Sequence, residues 1–201
     1  MTEKDDFNYD LFIENSEIIQ NKEQIDFIIK QIRVISEKSN KKIINLKHLY
    51  SATDDGDAAE NFHSCCDGYA PILIFVKTKA GVIFGGYTEK PFAFTKKKIG
   101  NKDDNAFIFS VKKRKIFEIE KGTIATVNFR DYGPVFSGFD YSNIYIYGDF
   151  FTDLGNVAKK GDRFNTKEDF EINDGVETFY VEEMEVYQVC FKEVNQIKND
   201  K

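Results

Sequence analysis

The sequence predicts an α+β fold that is mainly β: a two-layer antiparallel β-sandwich flanked by N-terminal helices. Three observations predict it. Hydrophobic periodicity is helical before Pro71 and alternates with period two after it. Seven or eight strand-sized runs then follow, joined by short, turn-rich connections with no long helix between them, which favours stacked antiparallel sheets over βαβ units. Helices therefore come first and sheets after, with neither an internal repeat nor a linker separating two domains. One domain is expected over 16–195, with a flexible arm over 1–15 before it and a tail over 196–201 after it.

The arm lacks periodicity. At Asn21-Lys22-Glu23-Gln24 a helix over 22–36 opens, because Asn suits the N-cap and Gln three positions on completes a capping box. Ile25, Ile28, Ile29, Ile32 and Ile35 fall on one face. Adding Ile18 gives a heptad row, so docking on the chain's own core and a coiled-coil seam both stand open; fewer than three heptads fit, which favours docking. Residues 46–52 read as mixed and Asp54-Asp55-Gly56-Asp57 as a turn. A short helix over 57–67 is capped by Asp57, ends near Gly68 and carries Phe62, His63 and Cys66 on its inner face.

Strands are expected from 71 onward. Ile72-Leu73-Ile74-Phe75-Val76 reads as buried, Lys79-Ala80-Gly81 turns, and Val82-Ile83-Phe84-Gly85-Gly86-Tyr87 returns as a hairpin partner. Gly85 and Gly86 inside a strand predict a bulge or a close backbone approach that a side chain would block. Further strands are predicted over 106–111, 116–119, 123–129, 142–147, 177–181 and 184–191. Alternation sets Glu183 and Glu185 apart from Met184 and Val186. A buried Glu185 would need a cation or a backbone donor, so a structural role is expected for it.

The 201 residues carry 28 basic and 34 acidic side chains, a net charge of −6, with 20 Phe, 10 Tyr and no Trp. That balance argues against nucleic-acid binding, which favours basic surfaces. No run approaches the roughly 18 apolar residues that span a bilayer, and the N-terminus is too acidic for a signal peptide. Cys65, Cys66 and Cys190 are too few for a disulfide framework, so reduced thiols and a cytoplasmic location are expected. Charge is also blocked. Residues 90–115 hold nine basic against two acidic side chains, and 162–185 hold nine acidic against two basic. Solvated loops that protect sheet edges and two faces that steer a protein partner are both open readings. On the second, Lys96, Lys97, Lys98, Lys113 and Arg114 are the candidate partner surface.

No reaction is specified. Zinc needs four well-spaced nitrogen or sulfur ligands, and His63 with Cys66 offers two. Those two share one helix, whereas nucleophile and base usually come from separate elements. There is no nucleophile elbow and no phosphate loop, and Asp54-Asp55-Gly56-Asp57 lacks calcium-loop spacing. Catalytic residues, cofactor and metal are accordingly set at none.

The motifs themselves carry a resemblance. Leu49-Tyr50-Ser51-Ala52-Thr53-Asp54-Asp55-Gly56 is followed by Phe62-His63-x-x-Cys66-Asp67 and Phe84-Gly85-Gly86-Tyr87-Thr88. Ala106-Phe107-Ile108-Phe109-Ser110, Tyr132-Gly133-Pro134-x-Phe136 and Phe179-x-Val181-Glu182-Glu183-Met184-Glu185-Val186-Tyr187 come next, in order. The chain resembles the TLDc domain family of eukaryotic oxidation-resistance and nuclear-receptor-coactivator-like proteins, over roughly 16–191. The resemblance implies a two-sheet sandwich with no established catalytic activity and a part in protection against oxidative stress. It also implies binding to the cytosolic sector of the vacuolar proton-pumping ATPase, as several members do. Two departures touch a partner surface: Pro91-Phe92 stands where the family often has Trp, and Phe136-Ser137-Gly138 replaces Phe-Gly-Gly.

The leading expectation is therefore a non-enzymatic, cytoplasmic protein-binding module. A structural subunit of a large cytosolic or cytoskeletal assembly is the alternative, and a thiol-based redox protein is the weaker one.

Overall fold

The computed structural model describes residues 7–139, 143–153, 156–161 and 163–194. Two helices, α1 (Tyr9–Glu14) and α2 (Lys22–Glu37), precede β1 (Lys41–Ser51), the single turn α3 (Ala52–Asp55) and α4 (Ala59–Cys66). Ten further strands follow among the described residues: β2 (Ile72–Thr78), β3 (Ile83–Thr88), β4 (Ile99–Lys102), β5 (Phe107–Ser110) and β6 (Lys115–Glu118), then β7 (Ile124–Asn128), β8 (Tyr132–Phe136), β9 (Asn143–Tyr147), β10 (Val157–Lys159) and β11 (Val181–Glu193). Every pairing is antiparallel. Six strands run in the order β1-β11-β2-β3-β5-β6, and five in the order β10-β9-β8-β7-β4. The predicted mainly-β sandwich is the fold.

The unbroken apolar run of β2 has a direct cause: both of its faces are buried. Ile72, Ile74 and Val76 face the space between the sheets with Phe84, Ile108, Phe117 and Phe136. Leu73 and Phe75 face the other way, into a second cluster with Tyr87, Phe107, Phe109 and Tyr187. The stripe Ile25, Ile28, Ile29, Ile32 and Ile35 covers that second cluster and is itself buried. At about 1.5–3 kcal/mol per buried side chain, this face holds α2 to the sheet. Docking wins over the coiled-coil seam. Phe75, Tyr87, Phe107, Phe109 and Tyr187 belong to this helix-covered cluster.

Several expectations need correction. Residues 1–15 are not a loose arm throughout, because α1 docks with Phe7, Tyr9 and Phe12 buried. Asn8 Oδ1 caps it from Leu11 N at 3.1 Å, and the Tyr9 hydroxyl reaches Asp26 Oδ1 at 3.1 Å. A six-residue helix is too short to show a period and depends on such tertiary contacts. Strands begin before 71: the mixed stretch 46–52 lies mostly in β1, whose two register shifts against β11 break the alternation. Asp57 is not the cap of α4; Ala58 holds that place and Asn61 Oδ1 accepts its N–H at 3.3 Å. Residues 177–181 form no separate strand, only a bridge from Thr178 to Val157 before β11 begins. Three short strands, β4, β8 and β10, were not predicted. The start of the predicted strand at Ser142 and the tail over 196–201 lie outside the described residues.

Candidate functional site

The motif residues distribute over the molecule as a set of clamps. Glu183 Oε1 accepts the Ala52 N–H at 2.8 Å, and its other oxygen takes the Thr53 hydroxyl, so the carboxylate sits at the start of α3. Asp55 Oδ2 accepts Ser51 N at 2.9 Å, and Gly56, at φ +100°, brings its carbonyl to the Tyr50 hydroxyl at 2.6 Å. Glu185 is buried on the helix-covered side with Tyr187. It accepts from Ser16 Oγ at 2.7 Å, Glu17 N at 2.6 Å and the Tyr187 hydroxyl at 3.0 Å. Burial pushes its carboxyl above the usual carboxylate range, and the three donors act against that push.

The glycines permit close packing. A Cβ on Gly85 would lie 1.9 Å from the Ile74 carbonyl oxygen, and one on Gly86 would lie 2.6 Å from the Phe136 ring. On β8, a Cβ at Gly133 would meet the Phe150 ring at 2.7 Å, and Pro134 follows it in the strand. Tyr87 stacks on Phe107 with centroids 5.1 Å apart.

His63 is tied on both nitrogens. Nδ1 faces Asp67 Oδ1 at 2.7 Å, and Nε2–H donates towards the carbonyls of Phe129 and Tyr132, each at 3.1 Å. Neither nitrogen is left to act as a base. The other Asp67 oxygen takes the N–H of Phe94, Gly68 N donates to the Phe92 carbonyl at 3.1 Å, and Arg130 N donates to the Thr95 carbonyl at 2.9 Å. Phe92 is buried against Phe62 and Phe136, at 5.4 and 6.2 Å. Residues 92–95 are thus a strap pinned at Phe92, Phe94 and Thr95, and the three lysines that follow it are presented from a fixed base.

Three members of the basic block are ion-paired. Lys112 pairs with Asp174 at 2.5 Å, Lys115 pairs with Glu171, and Arg114 Nη1 lies 3.5 Å from Glu23. Lys113 and Arg114 occupy the turn between β5 and β6 of one sheet, whereas Lys96, Lys97 and Lys98 lead into β4 at the end of the other. The candidate partner surface is therefore two places. Lys98 lies over Tyr132, 4.9 Å from the ring centroid. Lys96 and Lys97 are exposed and, among the described residues, face no carboxylate.

Cys66 is buried and Cys65 half-buried, and all three thiols are free. Burial, with Cys65 and Asp67 adding to it, pushes the Cys66 thiol well up. A cavity of about 480 Å³ opens between Lys79, Val82, Asn173 and Phe179, with no cysteine or histidine in its wall. Among the described residues no group of three or more His, Cys, Asp or Glu is placed to hold a metal. Among the described residues no helix is long and apolar enough to cross a membrane.

Residues 12–190 match the family model of the TLDc domain. The chain belongs to the TLDc domain family. No curated protein matches it. In this TLDc domain the family motifs do structural work. Phe62, His63 and Asp67 hold the strap and Cys66 packs in the core; Gly85 lets β2 and β3 approach, Gly86 lets the second sheet's Phe136 approach, and Glu183 and Glu185 clamp segments at the start of β11. Sequence reasoning missed the strap because residues 92–95 carry no periodic pattern.

Proposed function

We propose that this TLDc domain is a non-enzymatic protein-binding module of the cytosol. Its partner is the cytosolic sector of the vacuolar proton-pumping ATPase, and its context is the response to oxidative stress. Family membership supports this reading. The observation that carries it is a pinned strap presenting Lys96 and Lys97, which no carboxylate of the described residues neutralises. Such a patch raises association rates with acidic surfaces and fixes their orientation.

Two observations weigh against the alternatives. The isoleucine stripe that a structural subunit would use for helix-mediated assembly is covered by the domain itself. Cys66 is buried, with its thiol driven away from the reactive thiolate.

Affinity capture of the tagged protein from its own cells at low salt tests the reading. Recovery of proton-pump subunits is expected. Recovery of one unrelated scaffold complex without pump subunits would replace it with the structural role.

A further inference from the structure

The ends of the two sheets are not equivalent. At β6, Glu120 N donates to the Arg163 carbonyl at 2.7 Å and Asn165 N to the Glu118 carbonyl at 2.9 Å, so the chain's own loop covers that end. At β10, Ala158 N donates to the Glu177 carbonyl at 2.8 Å and Phe179 N to the Asn156 carbonyl at 3.2 Å. β1 is twisted by two register shifts, a usual way of spoiling an edge. Among the described residues β4 has no such cover, and its pairing has one irregularity. It pairs with β7 from Ile99 opposite Asn128 to Lys102 opposite Ile124, and no described residue hydrogen-bonds to its outer side. In an antiparallel ladder alternate residues point N–H and C=O away from the partner, so β4 offers both donors and acceptors outward.

Charge sets what could pair there. The acidic block of the chain is largely used internally. Glu171 and Asp174 pair with Lys115 and Lys112, Glu177 with Lys159 at 3.3 Å, and Glu182 with Lys77 at 2.7 Å. Glu183 and Glu185 are buried on hydrogen-bond donors. What remains uncompensated among the described residues includes Lys96, Lys97 and Lys102 along the β4 edge, beside Ile99, which is 50% exposed. Lysines on an open edge repel neutral or basic strands and admit an acidic one.

We propose that the outer edge of β4, flanked by Lys96, Lys97 and Lys102, is a strand-addition site for an extended acidic segment of a partner protein. This rests on the protein-binding reading and names the chemistry of the partner. A peptide backbone meets both the outward N–H and the outward C=O groups, while carboxylates meet the lysines and one apolar side chain meets Ile99. A lipid surface or a nucleic acid would use the charge and leave the carbonyl groups unanswered.

Fluorescence anisotropy of the full chain with a labelled peptide of alternating Glu and Thr, about ten residues long, tests the site. The same peptide N-methylated at alternate amides keeps the charge and loses the ladder. Vesicles of phosphatidylserine and phosphatidylcholine supply anionic lipid. Saturable binding of the plain peptide is expected, weakened by about tenfold or more by N-methylation and by the combined changes K96E, K97E and K102E. Circular dichroism of the triple variant checks that it is folded. Equal binding of the N-methylated peptide, absence of binding by the plain peptide, or preference for the vesicles would each overturn the proposal. If the peptide fails while pump subunits are still captured, the β4 site falls alone. If the peptide binds while no pump subunit is captured, the partner assignment falls alone.

Discussion

Ser16 donates its hydroxyl to Glu185 Oε2 at 2.7 Å, joining residues 169 positions apart. The same hydroxyl oxygen accepts the N–H groups of Ile18 and Ile19 at 3.2 and 2.9 Å. One small side chain therefore connects the N-terminal segment to the last strand. Ser16→Ala should lower stability by about 1–3 kcal/mol, since it leaves buried partners unmet. Hydrogen exchange is expected to speed up first at α1 and residues 16–19; uniform protection across the chain would show that α1 is held without this clasp.

Glu185 gives a pH signature. Burial raises its pKa in the folded state, so the folded chain binds the proton more tightly than the unfolded chain does. Its contribution to stability is present in full below the usual carboxylate range and is lost as pH rises through the raised value. Glu185→Gln cannot titrate there. The stability difference, wild type minus variant, should grow in favour of the wild type as pH falls from 7 towards that range. Urea titrations at several pH values measure it, and a flat difference would contradict the assignment.

Gly85 is a steric test. A Cβ at this position would sit 1.9 Å from the Ile74 carbonyl oxygen, inside the ladder between β2 and β3. Gly85→Ala should cost about 3 kcal/mol or more, or prevent folding. At Gly148 the nearest contact for a Cβ is an ordinary 3.4 Å, so Gly148→Ala should stay within about 0.5 kcal/mol in the same denaturation experiment.

Much of this architecture is legible in the chain, and what is not has physical causes. The isoleucine stripe and the run from Ile72 to Val76 follow directly from burial on one or two faces. The short α1 carries too few residues to show a period. Tyr132-Gly133-Pro134 carries no apolar alternation, yet it lies in β8, with the Phe150 ring packed where a Gly133 Cβ would be. In β4 Ile99 is half exposed and its neighbours are Gly, Asn and Lys, so no alternation marks a strand whose outer side is open. The blocks of charge were visible, but not the ion pairs that consume most of the acidic one.

His63 offers a positioning test. His63→Ala removes the links to Asp67 and to the Phe129 and Tyr132 carbonyls, and so loosens the base of the strap. Exchange at 92–98 should accelerate while β2 and β11 stay protected. Unchanged exchange in the strap would show that Phe92 alone holds it.

The thiols should separate by burial. In the folded protein an aromatic disulfide reagent should label Cys65 and Cys190 ahead of Cys66, which should react only at the rate of opening. Rapid labelling of Cys66 would restore a thiol-based redox role.

The central proposal is that this TLDc domain binds the cytosolic sector of the vacuolar proton pump through its basic β4 edge. Titration of the purified cytosolic sector of the vacuolar proton pump over the immobilised wild-type chain, beside the K96E, K97E and K102E triple variant, tests it most directly. Saturable binding at low salt is expected, weakened by about tenfold or more in the folded variant. No binding by the folded wild type, or equal binding by both, would contradict it.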